Sequence, residues 1–125
     1  MSVGQQILHH RQARGWSQEK PDLFHSIFCI SPAFWRDDHL IVQKTKTFLE
    51  RTDSLDHFLF LSLGTEENAK MPHAYEQMIH TLKATSIQGL RVAHYFTPGA
   101  THQTNPYYSM PAAMGHWVRY LDQAD

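Results

Sequence analysis

The sequence predicts an α/β chain: a small, mostly parallel sheet of three strands with helices packed over it. Three observations carry this expectation. From Pro21 onward, strand-like and helix-like patterns alternate as β-α-β-α-β-α. The run from His57 to Leu63 is almost continuously apolar, as in a parallel strand covered on both faces. Residues Met71 to Leu82 place apolar side chains at helical spacing. Short connections between like-directed strands then imply right-handed crossovers with helices on the sheet.

Taken in order, residues 1–20 show no clear period. Val3, Ile7 and Leu8 share a helical face, but His9, His10, Arg11, Gln12 and Arg14 follow and Gly15 interrupts. This stretch is a poorly defined N-terminal segment, and residues 21–125 form the ordered portion. There, Phe24 to Ile30 reads as a buried strand, ended by Ser31-Pro32. Asp37 and Asp38 are placed to cap a helix reaching Arg51, with Ile41, Thr45, Phe48 and Leu49 on or near its inner side.

After the strand at His57 to Leu63 and the stop at Gly64, Pro72 suits a first helical turn. Met71, Ala74, Tyr75, Met78, Ile79 and Leu82 form the inner stripe of that helix. Leu90 to Phe96 alternates like a strand nearer the sheet edge and stops at Pro98-Gly99. The last helix is expected from Ser109, as cap, to Asp122, with Met110, Met114, Trp117, Val118 and Leu121 facing the sheet. Three strands are few, so the chain reads as part of a larger sheet whose open edge permits self-association.

Composition narrows the functional classes. The chain has 125 residues, enough for one domain, with 42% hydrophobic and 18% charged residues, which places it among globular chains. A net charge of −1 without a basic stripe argues against nucleic acid and anionic membranes as partners. The longest apolar stretch, Phe58 to Leu63, is far shorter than the roughly 20 residues that span a bilayer. With no signal-peptide core, a cytoplasmic location is expected. Cys29 stands alone in an apolar run and reads as a buried thiol. The ten histidines include His9-His10 and the pair His73 and His80, but no spacing among them makes a zinc site, so neither metal nor cofactor is expected.

In open α/β sheets, catalytic groups gather at the carboxyl ends of the strands, here Ser31 to Asp38, Gly64 to Lys70 and Thr97 to Tyr108. The second segment carries Glu66 and Glu67, and the third carries His102 in a glycine-containing loop, so an acid and a histidine share one rim. That pairing has a chemical use. A serine hydroxyl is a poor nucleophile until an imidazole takes its proton, and a carboxylate fixes the imidazole tautomer. Trp35, Tyr107 and Tyr108 are aromatic candidates for a pocket wall or for packing.

The segments "PDLFHSIFCISPAFWRDD", "LFLSLGTEENAKM" and "PGATHQTNPYYSMPAAMGHWVRYL" resemble the α/β-hydrolase family of esterase D-like enzymes, siderophore esterases and mycolyltransferases. The resemblance covers roughly residues 21–121 and corresponds to the C-terminal half of that fold. It implies hydrolysis of a carboxylic ester, of siderophore type or another small ester, by a serine mechanism. It also implies that His102 is the general base and Glu67, rather than Glu66, its acid, in the chain order nucleophile, acid, histidine.

The sequence departs from the family at the nucleophile. No complete G-x-S-x-G elbow is present: Met1-Ser2-Val3-Gly4 matches only its last residues, and Gly15-Trp16-Ser17 is followed by Gln18-Glu19. The earlier loop that supplies an oxyanion donor is also missing, a loss of around two to three orders of magnitude where measured. Weak or no esterase activity is therefore expected from this chain alone. The alternative is a catalytically inactive, truncated remnant or binding module of the same fold, and on the sequence its standing as an enzyme is open.

Overall fold

The structure, a computed structural model, describes residues 25–123. The expectations for residues 1–20, including Ser2 and Ser17, and for the start of the first strand at Phe24 lie outside the described residues. The elements are β1 (Ser26–Ile30), α1 (Arg36–Glu50), β2 (Phe58–Gly64), α2 (Met71–Lys83), β3 (Arg91–Thr97) and α3 (Asn105–Gln123). This is the α/β alternation that the sequence predicts.

The three strands pair in parallel in the order β1-β2-β3, with Ser26 opposite Phe58 and Phe58 opposite Arg91. The two-residue period of β2 divides the core between the faces of the sheet. Leu61 and Leu63 join Val42 and Leu49 of α1 and Met71, Tyr75, Met78, Ile79 and Leu82 of α2. Phe58 and Phe60 point the other way, to Ala113, Trp117 and Tyr120 of α3. The continuous apolar run of β2 is thus two interleaved sets serving two helical layers. On the α3 side, Phe58 and Tyr120 stack with ring centroids 5.1 Å apart, and the Trp117 indole N–H donates to Ser26 Oγ at 2.9 Å.

α2 buries all six residues of its predicted stripe, because a helix facing both a sheet and a neighbouring helix needs a broad apolar face. The other two helices differ from expectation. In α1 the buried residues are Val42 and Leu49, while Ile41 and Phe48 are about half exposed. Its entry differs as well. Trp35 occupies the N-cap position with no side-chain cap, and Asp37, Asp38 and His39 have φ of 51°, 54° and 61°. The two aspartates therefore form a left-handed turn instead of capping the helix. Short polar side chains tolerate that conformation best. His39 ties the turn to α2 through a hydrogen bond from its ring to Gln77 Oε1.

α3 begins at Asn105, four residues before the predicted cap at Ser109. Its buried residues are Asn105, Ser109 and Ala113, whereas Met110, Met114, Val118 and Leu121 are 37–49% exposed. Of the expected stripe, Trp117 does pack on the sheet, while the other four positions turn outward and the small or polar Asn105, Ser109 and Ala113 take the buried places. Pro111 consequently sits inside the helix, where it has no N–H to donate. Replacing this exposed proline with alanine is expected to stabilise the chain by about 1–3 kcal/mol, read as a higher unfolding midpoint.

Cys29 lies among the partly buried groups on the α1–α2 side, and burial pushes its thiol up to about 11, so it stays protonated at neutral pH. No described helix is long and apolar enough to cross a membrane.

Candidate active site

All three strands deliver their carboxyl ends to the same rim, and the backbone there locks two loops together. Thr65 N–H donates to Thr97 O at 3.0 Å, and Glu66 N–H donates to Ala100 O at 2.9 Å. Gly99 N–H donates to Thr65 Oγ1 at 2.8 Å, at a turn where Gly99 takes φ of 71°. Gly64 closes the contact. A Cβ on Gly64 would lie 2.2 Å from Ala100 O, so only glycine lets the two loops meet this closely.

The loop after β3 leads directly into α3. Thr101 N–H donates to Thr104 Oγ1 at 2.8 Å, and Thr104 N–H donates to Thr101 Oγ1 at 3.2 Å. This reciprocal exchange has the logic of a capping box. Asn105 N–H then reaches Thr101 O at 2.9 Å, the first helical bond. The T-x-x-T spacing at 101–104 was the sequence signal for this start, masked by the Ser109-x-Pro111 pattern downstream.

These two constraints bring Glu67 and His102 together. Glu67 Oε1 lies 2.9 Å from His102 Nδ1. The Glu67 side chain is completely buried, whereas that of His102 is 67% exposed. Glu66, its neighbour, is exposed. With the proton on Nδ1 donated to the carboxylate, Nε2 carries the lone pair, so the ring offers an exposed base backed by a buried acid.

The second carboxylate oxygen is also occupied. Glu67 Oε2 accepts from Gly64 N–H and from Ser31 Oγ, each at 2.6 Å. Asn105 Nδ2 donates to Ser31 Oγ at 2.8 Å and to Ser62 Oγ at 3.2 Å, and Ser62 Oγ donates to Ser109 Oγ at 3.2 Å. A polar chain therefore runs from His102 on the surface to Ser109 on the buried side of α3. Ser31, Ser62, Asn105 and Ser109 are all buried. Sequence reasoning missed Asn105, Ser62 and Ser109 as members of the site; polar residues spaced four apart on the sheet-facing side of α3 were the available signal.

Other candidates fall elsewhere. Tyr107 and Tyr108 are 78% and 61% exposed. Trp35 packs against the α1–α2 core, with the Arg36 guanidinium 5.7 Å and the Lys70 ammonium 5.6 Å from its ring centre. A cleft of about 570 Å³ opens between α1 and α2 beside His39, His73 and His80, and neither Glu67 nor His102 lines it. Among the described residues, no three His, Cys, Asp or Glu side chains are placed to hold a metal ion.

Comparison with known proteins adds a statement about fold. The BES protein from Bacillus cereus shares this architecture. Its crystal structure matches with a TM-score of 0.61 and 20% sequence identity, over 71% of this chain and 34% of that one. The chain thus spans about a third of the length of the protein it matches. No protein-family model and no curated protein matches it.

Proposed function

We propose that this chain carries the acid–histidine part of a serine-esterase site, with His102 as general base and Glu67 as its acid, acting on a small carboxylic ester. The observation that carries the reading is the 2.9 Å contact between the exposed His102 ring and the fully buried Glu67 carboxylate, at the carboxyl rim of a parallel sheet. In the reaction, Nε2 takes the proton of a serine hydroxyl as its oxygen bonds to the ester carbonyl carbon. The tetrahedral oxyanion then expels the alcohol, to which Nε2 returns the proton; water repeats the sequence to free the acid. Residues 21–125 are, on this reading, the C-terminal portion of an α/β-hydrolase domain.

One observation favours a second reading, a non-catalytic member of the same fold. Ser31, the serine nearest the pair in the hydrogen-bond pattern, gives its hydroxyl to the acid and not to the histidine. The described site therefore provides no nucleophile at Nε2, and the serine must come from elsewhere.

Treatment of the purified protein with a fluorophosphonate probe and with p-nitrophenyl acetate separates the two. The esterase reading expects covalent labelling of one serine and ester turnover, both lost in His102→Ala. Folded protein that neither takes the label nor turns over the ester would establish the non-catalytic reading.

A further inference from the structure

We propose that Ser31 and Asn105 are positioning residues for the Glu67–His102 pair: together they fix the buried carboxylate so that Oε1 holds the Nδ1 proton of His102. This rests on the proposed role of that pair, and extends it to two residues that touch neither the histidine nor a substrate.

The direction of the hydrogen bonds makes the assignment. Ser31 Oγ has one proton and donates it to Glu67 Oε2 at 2.6 Å. It can then only accept from its other neighbour, so Asn105 must present its Nδ2 group, as it does at 2.8 Å. The second Nδ2 proton goes to Ser62 Oγ, whose own proton goes to Ser109 Oγ. Asn105 therefore donates along two arms, one through Ser31 to the carboxylate and one through Ser62 to Ser109, and on the first arm the proton order is fixed toward Glu67. The terminal torsion of a glutamate is broad and two-fold, so a carboxylate held at one point can pivot. Gly64 N–H alone gives Oε2 one donor to turn about; Ser31 Oγ, delivered from the end of a different strand, is a second donor to the same oxygen from another direction and restricts that turning.

Two features indicate that this cluster is not an economical solution for stability. Ser31 takes φ of 53°, a left-handed conformation that glycine adopts without strain and serine does not. Asn105 Oδ1 is buried and, among the described residues, has no partner, although unpaired buried acceptors are destabilising. Both liabilities sit one hydrogen bond apart and both accompany a hydroxyl aimed at Glu67, the pattern expected where local strain serves a site.

The test is the tautomer of His102, read from the ¹⁵N shifts of its two ring nitrogens in histidine-labelled full-length protein, at a pH where the ring is neutral. His102→Gln identifies the signals. The wild-type ring should be mainly the Nδ1–H form. Ser31→Gly removes the hydroxyl and accepts the backbone conformation, and it should move the tautomer ratio toward Nε2–H by about fivefold, the effect of one ordinary hydrogen bond. Ser31→Cys, a weaker donor, should fall between the two, and Asn105→Ala should shift the ratio in the same direction by less.

Glu67→Gln separates this proposal from the reading beneath it. If Glu67→Gln leaves the His102 tautomer unchanged, the acid–histidine pairing itself is wrong. If Glu67→Gln reverses the tautomer while folded Ser31→Gly matches wild type, the pairing stands and the positioning role is overturned. Ser31→Gly decides the matter even where Asn105→Ala unfolds.

Discussion

Gly64→Val is expected to destabilise the chain by about 3 kcal/mol or more and to separate Glu67 from His102 in the molecules that remain folded. The reason is geometric. Even the Cβ of alanine would meet Ala100 O at 2.2 Å and Ala100 C at 2.7 Å, and both atoms are backbone, so no rotamer change relieves the overlap. The loop after β3 has to withdraw by more than an ångström. In doing so it loses the bonds from Thr65 N–H to Thr97 O and from Glu66 N–H to Ala100 O. Because Ala100 lies two residues before His102, the histidine moves with it. Denaturant unfolding provides the measurement and Gly115→Ala the control. Gly115 has open space at its Cβ position and lies within α3, so alanine there should be neutral or stabilising by about 0.5–1 kcal/mol. An unchanged unfolding midpoint in Gly64→Val would mean that the two loops are not in contact.

Glu67→Gln is expected to lower ester turnover by about 10⁴-fold while leaving the chain folded, if the pair acts as proposed. Glutamine keeps the size of the side chain, and its carbonyl oxygen can take over the bonds from Gly64 N–H and Ser31 Oγ. Its amide then turns N–H groups toward His102 Nδ1, where the carboxylate had offered an acceptor 2.9 Å away. The imidazole has to present a lone pair at Nδ1 and carry its proton on Nε2. A ring in that tautomer is a donor where a base is needed. Initial rates on p-nitrophenyl acetate, compared with those of His102→Ala, check this. Equal rates in Glu67→Gln and wild type would show that any hydrolysis by the chain proceeds without the acid.

The elements that the sequence located best are those whose inward faces meet mainly apolar neighbours. β2 and α2 lie between other elements, so burial alone fixes their pattern; all six predicted α2 positions are buried. In α1 and α3 the expected inner faces hold only in part: Leu49 and Trp117 do face inward. Ile41 and Phe48, like Met110 and Met114, are hydrophobic yet 37–52% exposed. Ser109 and Asn105 are polar and fully buried. A hydrophobic stripe is a sound guide to an inner face only where apolar packing sets the helix position. α3 is positioned by small and polar side chains in its first two turns, with a hydrogen-bonded chain through Ser62, and by Trp117 and Tyr120 on Phe28 and Phe58 further along.

By itself the sequence determined the α/β alternation, the parallel sheet implied by its short crossovers, and the placing of an acid and a histidine on one rim. Those follow from local patterns: period, turn residues and the rule that strand ends collect functional groups. The residues alone left Glu66 and Glu67 open and the family resemblance favoured Glu67; the tertiary structure places Glu67 in contact with the histidine. Glu66 and Glu67 are adjacent and chemically alike; the close approach of Gly64 to Ala100 joins the two loops, and bonds from Gly64 N–H, Ser31 and His102 hold Glu67 inward. It also decided that residues 36 and 74 positions apart, Ser31 with Glu67 and Ser31 with Asn105, share one polar chain. Contacts of that span depend on how three strands and three helices pack, which no local pattern encodes.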